Sequence, residues 1–232
     1  MLLSTADLAA LLFFLAMWTL HALAVAGKLG TRVSLSTAMN RQREMWMRTM
    51  ARRDLRMIDT SIMLGLQQGT AFFGSSALIA IGGCFALIGS SDRVMNVLGD
   101  LPLSAAASRP VFEIKVIGLL LIFAYSFFKF GWSYRLFNYC SILIGAVPVQ
   151  KDEPAYLEET EIAVQRAARM NILAGTHFNA GLRGIFFSIG YLGWFVGPIV
   201  FALTTLCIFA VLVRRQFFSE AREAVISDRP LL

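Results

Sequence analysis

Two histidines, three cysteines and a dense row of arginines carry most of the reactive chemistry in this 232-residue chain. His21 lies near the end of one apolar stretch, and His177 lies two helical turns before the core of another. In a four-span chain the two would face the same side, where a bis-histidine haem or a metal ion is conceivable. They match no ligand spacing and have no acidic partner in sequence, so neither metal nor cofactor is expected. His177 reads instead as a capping or interfacial hydrogen-bonding residue. Cys84, Cys140 and Cys207 lie in or beside apolar runs without metal-like spacing and read as small core side chains. No G-x-S-x-G, H-E-x-x-H, P-loop or C-x-x-C motif is present. A non-enzymatic protein is therefore expected.

The arginines are more informative. Gln42 to Asp59 contains no Gly or Pro and reads as one helix that continues into an apolar segment. At 100° per residue, Trp46, Met47, Met50, Met57 and Ile58 fall on one side of it. Arg41, Arg48, Arg52, Arg56 and Asp59 fall on the other. This basic amphipathic helix lies at the mouth of a membrane span, where each basic residue near an anionic surface contributes about 1 kcal/mol. Arg41, Arg48, Arg52 and Arg56 are thus candidates for binding anionic phospholipid or a partner. Arg43 and Asp54 intrude on the apolar side. They sit about three turns apart, so each should find its partner on another helix, with Glu158 to Arg183 as the expected source.

A second patch, HFNAGLRGIFF from His177 to Phe187, sets His177, Asn179 and Arg183 among glycines and aromatics. Arg183 is suited to a lipid phosphate or to an ion pair with Asp54 or Asp59. Arg43, Asp54, Asp59, His177 and Asn179 form the expected structural polar network.

The elements that hold these residues follow from composition. Hydrophobic residues make up 57% of the chain and charged residues 16%, against about 25% charged in soluble domains. The mean hydropathy is +0.65. The expected fold is all-α: a single polytopic membrane domain over residues 1–232, with four transmembrane helices and cytoplasmic amphipathic helical extensions. Its spans are expected at about 8–26, 62–90, 111–131 and 184–213. The first is expected to be retained rather than cleaved, because no basic n-region precedes it.

Within the second span Gly65, Gly69, Ser76, Gly83 and Ser90 form a seam of small residues, expected to let another helix approach closely. The third span carries an aromatic belt at Tyr125, Trp132, Tyr134 and Tyr139, and its helix should run past the bilayer. A second amphipathic helix is expected over Glu158 to Asn171. In the fourth span Gly190, Gly193 and Gly197 share a face, and Pro198 should kink the helix.

The net charge is +6. In a membrane protein this bears first on topology and anionic lipid, and nucleic acid is not an expected partner. With four spans, the basic first and third loops share one side. The positive-inside rule then makes that side cytoplasmic and puts both termini outside, in a multi-pass protein of the cell inner (plasma) membrane.

The run R-x-x-W-M-x-x-M-x-x-R-x-x-R-x-x-D from Arg43 to Asp59 resembles a signature of domain-of-unknown-function family 599, a group of bacterial and plant membrane proteins. Phe127, Phe128, Phe130, Trp132, Arg135, Asn138 and Tyr139 and the HFN-x-GLRG patch resemble it too. The likeness covers nearly the whole chain and departs at Ile185, where an aromatic residue is often expected. It implies a four-helix membrane protein and no activity, cofactor or catalytic residue. Two functional expectations stand: a non-enzymatic membrane protein interacting with lipid, a partner or a second copy of itself; or a small oligomeric transporter or channel.

Overall fold

The computed structural model describes residues 3–30, 32–94, 108–149 and 154–227. They form helices joined by short connections, with no strand among the described residues. In chain order these are α1 (Thr5–Val25), α2 (Leu35–Ala51), α3 (Met57–Gly89), α4 (Arg109–Ala146), α5 (Pro154–Tyr191), a 3-10 turn (Leu192–Phe195), α6 (Pro198–Phe217) and α7 (Glu220–Ile226). Four of them, α1, α3, α4 and α6, are long and apolar enough to cross a membrane. The expected loop from Ser91 to Pro110 and the break from Pro148 to Pro154 lie largely outside the described residues.

Helix length organises the rest. α4 and α5 each contain 38 residues, about 57 Å of helix at 1.5 Å per residue. A bilayer core is about 30 Å thick and takes about 20 residues. Counting from Arg109, that depth is reached near Lys129; counting back from Gly89, it is reached near Gly69. The remainder of α3 and α4, the first half of α5, and α2 form a helical head beyond it.

Two cores result. The head core packs Met47, Met50, Met63, Phe137, Ile144 and Ala167. There, burial of each large side chain stabilises by roughly 1.5–3 kcal/mol. The other core packs Phe14, Val116, Phe187, Trp194 and Phe201. In lipid such a cluster is held by close packing and hydrogen bonds rather than by exclusion of water.

The stretch 184–213 departs from expectation. It is not one kinked span but two arms of a hairpin. The chain leaves α5 at Tyr191, turns through Leu192–Phe195, and restarts at Pro198 as the first residue of α6. Proline is favoured at a helix start and has no N–H to lose there. The arms run antiparallel: Thr204 Oγ1 donates to Gly190 O at 2.7 Å, and the Arg215 guanidinium lies over the Phe186 ring at 5.4 Å.

Gly190 and Gly193 permit the close approach. A Cβ on Gly193 would lie 2.3 Å from Thr204 Oγ1 and 3.0 Å from the Val200 carbonyl. Trp194 ties the turn to two other helices. Its Nε1–H donates to Asp7 Oδ1 at 2.7 Å, and its carbonyl accepts from the buried Lys115 ammonium at 2.7 Å.

This hairpin changes the parity of the chain. α1 begins beside Trp194, at what we term the tip end. α7 lies beside the head, where Arg222 Nε donates to Val33 O at 2.8 Å. Asp7 and α7 therefore lie at opposite ends of the bundle.

The seam on α3 could meet a helix of the same chain or of a second copy. Gly65, Gly69 and Gly83 have open space where a Cβ would stand, so among the described residues no helix of the same chain packs against them.

A bulky residue should accordingly be resisted in the hairpin and not in the seam. Gly193→Val is expected to cost about 1–3 kcal/mol through overpacking against backbone. Gly83→Leu should leave the thermal stability of the detergent-solubilised monomer within about 0.5 kcal/mol. Equal losses in a melting experiment would overturn the hairpin contact.

Candidate functional site

The expected helix from Gln42 to Asp59 is interrupted. α2 ends at Ala51 and α3 starts at Met57. Two interactions explain the break. Asp59, fully buried, accepts from Trp46 Nε1 and Arg53 Nη1, both at 2.7 Å. Arg56 turns to the end of α4, donating to the carbonyls of Ile144 (2.8 Å), Val147 (2.5 Å) and Pro148 (3.1 Å). It thereby satisfies carbonyls that a helix C-terminus leaves without partners.

These contacts redistribute the candidate residues. Arg56 is a helix cap and not a free lipid-binding cation. Arg48 bridges Glu44 at 3.1 Å and Glu161 at 2.7 Å. The two carboxylates, Glu44 foremost, hold its guanidinium above its ordinary range. Arg41 and Arg52 are exposed on the outer face of the head. Asp54 is exposed and makes no hydrogen bond or ion pair among the described residues, so it does not belong to the polar network. Arg43 does reach another helix, donating to Asn171 Oδ1 of α5.

The residues that converge are Arg43, Arg183 and Arg215. With His21, Ser36, Asn40, Asn179 and Gln216 they line a cavity of about 360 Å³ between α1, α2, α5 and α6. Its polar rim is joined across helices: Ser36 Oγ donates to Gln216 Oε1 at 3.1 Å, and Asn179 Nδ2 donates to Ser36 Oγ at 3.5 Å. Its floor is Arg183 and His21. His21 is 3% exposed, and its ring lies against Phe187 and Phe209.

Nε and Nη1 of Arg183 are buried and have no hydrogen-bond partner. No acidic side chain lines the cavity. Arg183 pairs with neither Asp54 nor Asp59; the latter is already engaged by Arg53. A half-buried guanidinium without a counter-charge carries a desolvation cost, and an anion entering the cavity would relieve it.

His177 stays apart from this site. Its ring meets Trp132 at 6.4 Å between centroids, and its Nδ1 is buried without a partner. Among the described residues no group of three or more His, Cys, Asp or Glu is placed to hold a metal ion. Arg215, His21 and Gln216 were not sequence candidates for this site. Their convergence follows from the hairpin, which returns α6 beside α1 and α5. The single signal available was the pair of basic residues, Arg214 and Arg215, ending the last apolar run.

Asp59 and Asp54 should respond oppositely to removal of charge. Asp59→Ala leaves a guanidinium and an indole N–H without their acceptor and is expected to cost about 3–5 kcal/mol. Asp54→Ala should stay within about 0.5 kcal/mol. Thermal unfolding in detergent checks both.

A family model described as "Protein of unknown function, DUF599" matches residues 9–221. No curated protein and no solved structure matches the chain.

Proposed function

Because the chain belongs to DUF599, whose description names no activity, we propose its role from the geometry: a non-enzymatic inner-membrane protein that binds anionic phospholipid at its cytoplasmic face. The carrying observation is the cavity floored by Arg183, whose Nε and Nη1 lack partners and which no carboxylate neutralises. Arg43 and Arg215 stand around the same space, supplying further donors suited to phosphate oxygens. The lipid-binding role expected for the outer face of α2 thus passes largely to the cavity, with Arg41 and Arg52 left as peripheral charges.

Charge supports the orientation. Among the described residues the tip end carries Arg93, Arg109 and Lys115, while every other Lys and Arg lies in the head or at its junction with the membrane. Placing the head in the cytoplasm satisfies the positive-inside rule. α1 then starts outside and α7 ends inside.

Two measurements test this reading. A reporter fused after Leu232 should be active only in the cytoplasm, whereas one inserted at position 101 should be active only outside; the reverse would overturn the orientation. In native mass spectrometry the protein should retain phosphatidic acid over phosphatidylcholine. Arg183→Gln should weaken retention about 10- to 100-fold, as expected for loss of a hydrogen bond to a charged group, while Arg41→Gln changes it less than twofold. Retention of both lipids alike by the parent protein would sink the proposal.

A further inference from the structure

A second cavity, of about 520 Å³, opens between α1 and α4. These helices run side by side without close packing, because α1 packs chiefly on α6 and α4 chiefly on α5 and α3. Its walls are Leu11, Leu15 and Thr19 on one side and Ile117, Leu121 and Tyr125 on the other, with Phe14, Trp18, Tyr191 and Trp194 as floor. Leu15 and Leu121 are 50% and 62% exposed, so the groove is open along its side to lipid.

From Ile114 to Tyr125 it follows about 16 Å of helix axis, close to the depth of one leaflet. Apolar along its walls, about one leaflet long and with its inner end beside the Arg183 cavity, it suits a single hydrocarbon chain.

The inner end of the groove adjoins the basic cavity. Tyr125 and Trp18 meet edge to face at 5.6 Å, and Trp18 stacks on Phe187 at 5.1 Å. Phe187 in turn touches His21. Gly184, the residue after Arg183, faces the Tyr125 ring, whose Cδ1 lies 3.4 Å from where a Cβ would stand.

We propose that the two form one site for an inner-leaflet phospholipid, its phosphate at Arg183 and one acyl chain along the groove between α1 and α4. This rests on the anion reading above and adds that recognition requires the chain. A soluble phosphate ester is then a poor ligand. Polar contact fixes the headgroup, and the groove selects for chain length.

The test titrates the full-length protein in detergent with dioleoyl phosphatidic acid, dihexanoyl phosphatidic acid and glycerol 3-phosphate. Dioleoyl phosphatidic acid should bind at least tenfold more tightly than the dihexanoyl form, and glycerol 3-phosphate at least a hundredfold more weakly. Leu121→Trp, which fills the groove from an exposed position, should abolish the preference for the long chain. Ile79→Trp, on the exposed face of α3 and outside the groove, should not. Should Leu121→Trp fail to fold, the chain-length series on the parent protein decides.

Equal binding of the three probes would overturn the acyl-chain site while leaving the anion reading intact. Failure of all three to bind would overturn both. Efficient disulfide cross-linking between copies through Leu121→Cys, in a chain lacking Cys84, Cys140 and Cys207, would assign the groove to a second copy and also overturn it.

Discussion

Thirty-eight residues of unbroken helix are nearly twice what a bilayer requires, and α4 and α5 both have that length. Because they pack along one another, neither can end at the membrane surface without exposing the other. The chain is thereby committed to two cores in different solvents. In the head, apolar packing is driven by water, and the methionines of α2 fill the space beside α4 and α5. Toward the tip the surrounding lipid is as apolar as the side chains, and cohesion falls to interlocking aromatics, glycine contacts and the Lys115–Trp194–Asp7 bonds.

Charge is arranged around this division. At the junction of α2 and α3, Asp59 accepts from an indole and from the partly exposed Arg53 guanidinium, and Arg56 caps the terminal carbonyls of α4. That junction is therefore neutralised and structural. The opposite condition holds between α1, α5 and α6, where three guanidinium groups line a cavity that contains no carboxylate. The contrast between the two sites, each built from arginines of similar sequence context, gives the second its functional reading.

Helical character, the apolar crossings and the overrun of α4 were legible from long apolar runs almost free of charge. The break at Arg52 to Arg56 was not. It contains no helix breaker, and it exists because Asp59 and Arg56 bond to groups that only tertiary packing brings near. The hairpin was hidden for a related reason. Thirty uncharged residues satisfy a span criterion whether they run straight or fold back, and Gly197-Pro198 is compatible with a kink or a turn. Arg183 and Asn179 were recognised as a site, but their neighbours Arg215 and Gln216 lie on the far side of that turn. For the glycine seam the sequence left open whether the partner helix belongs to the same chain or to a second copy, since small residues show where approach is permitted and not which helix arrives.

The composition of the hairpin bears on how the protein is made. Its first arm carries His177, Asn179 and Arg183 and is too polar to rank beside α1, α3, α4 and α6 as an apolar crossing. An arginine costs a translocon-inserted segment roughly 2.5–3.5 kcal/mol at its centre and less toward its end, where Arg183 sits. The second arm is strongly apolar, and the connecting turn from Leu192 to Gly197 bears no charge to drag across. Membrane entry of the first arm is thus thermodynamically tied to synthesis of the second.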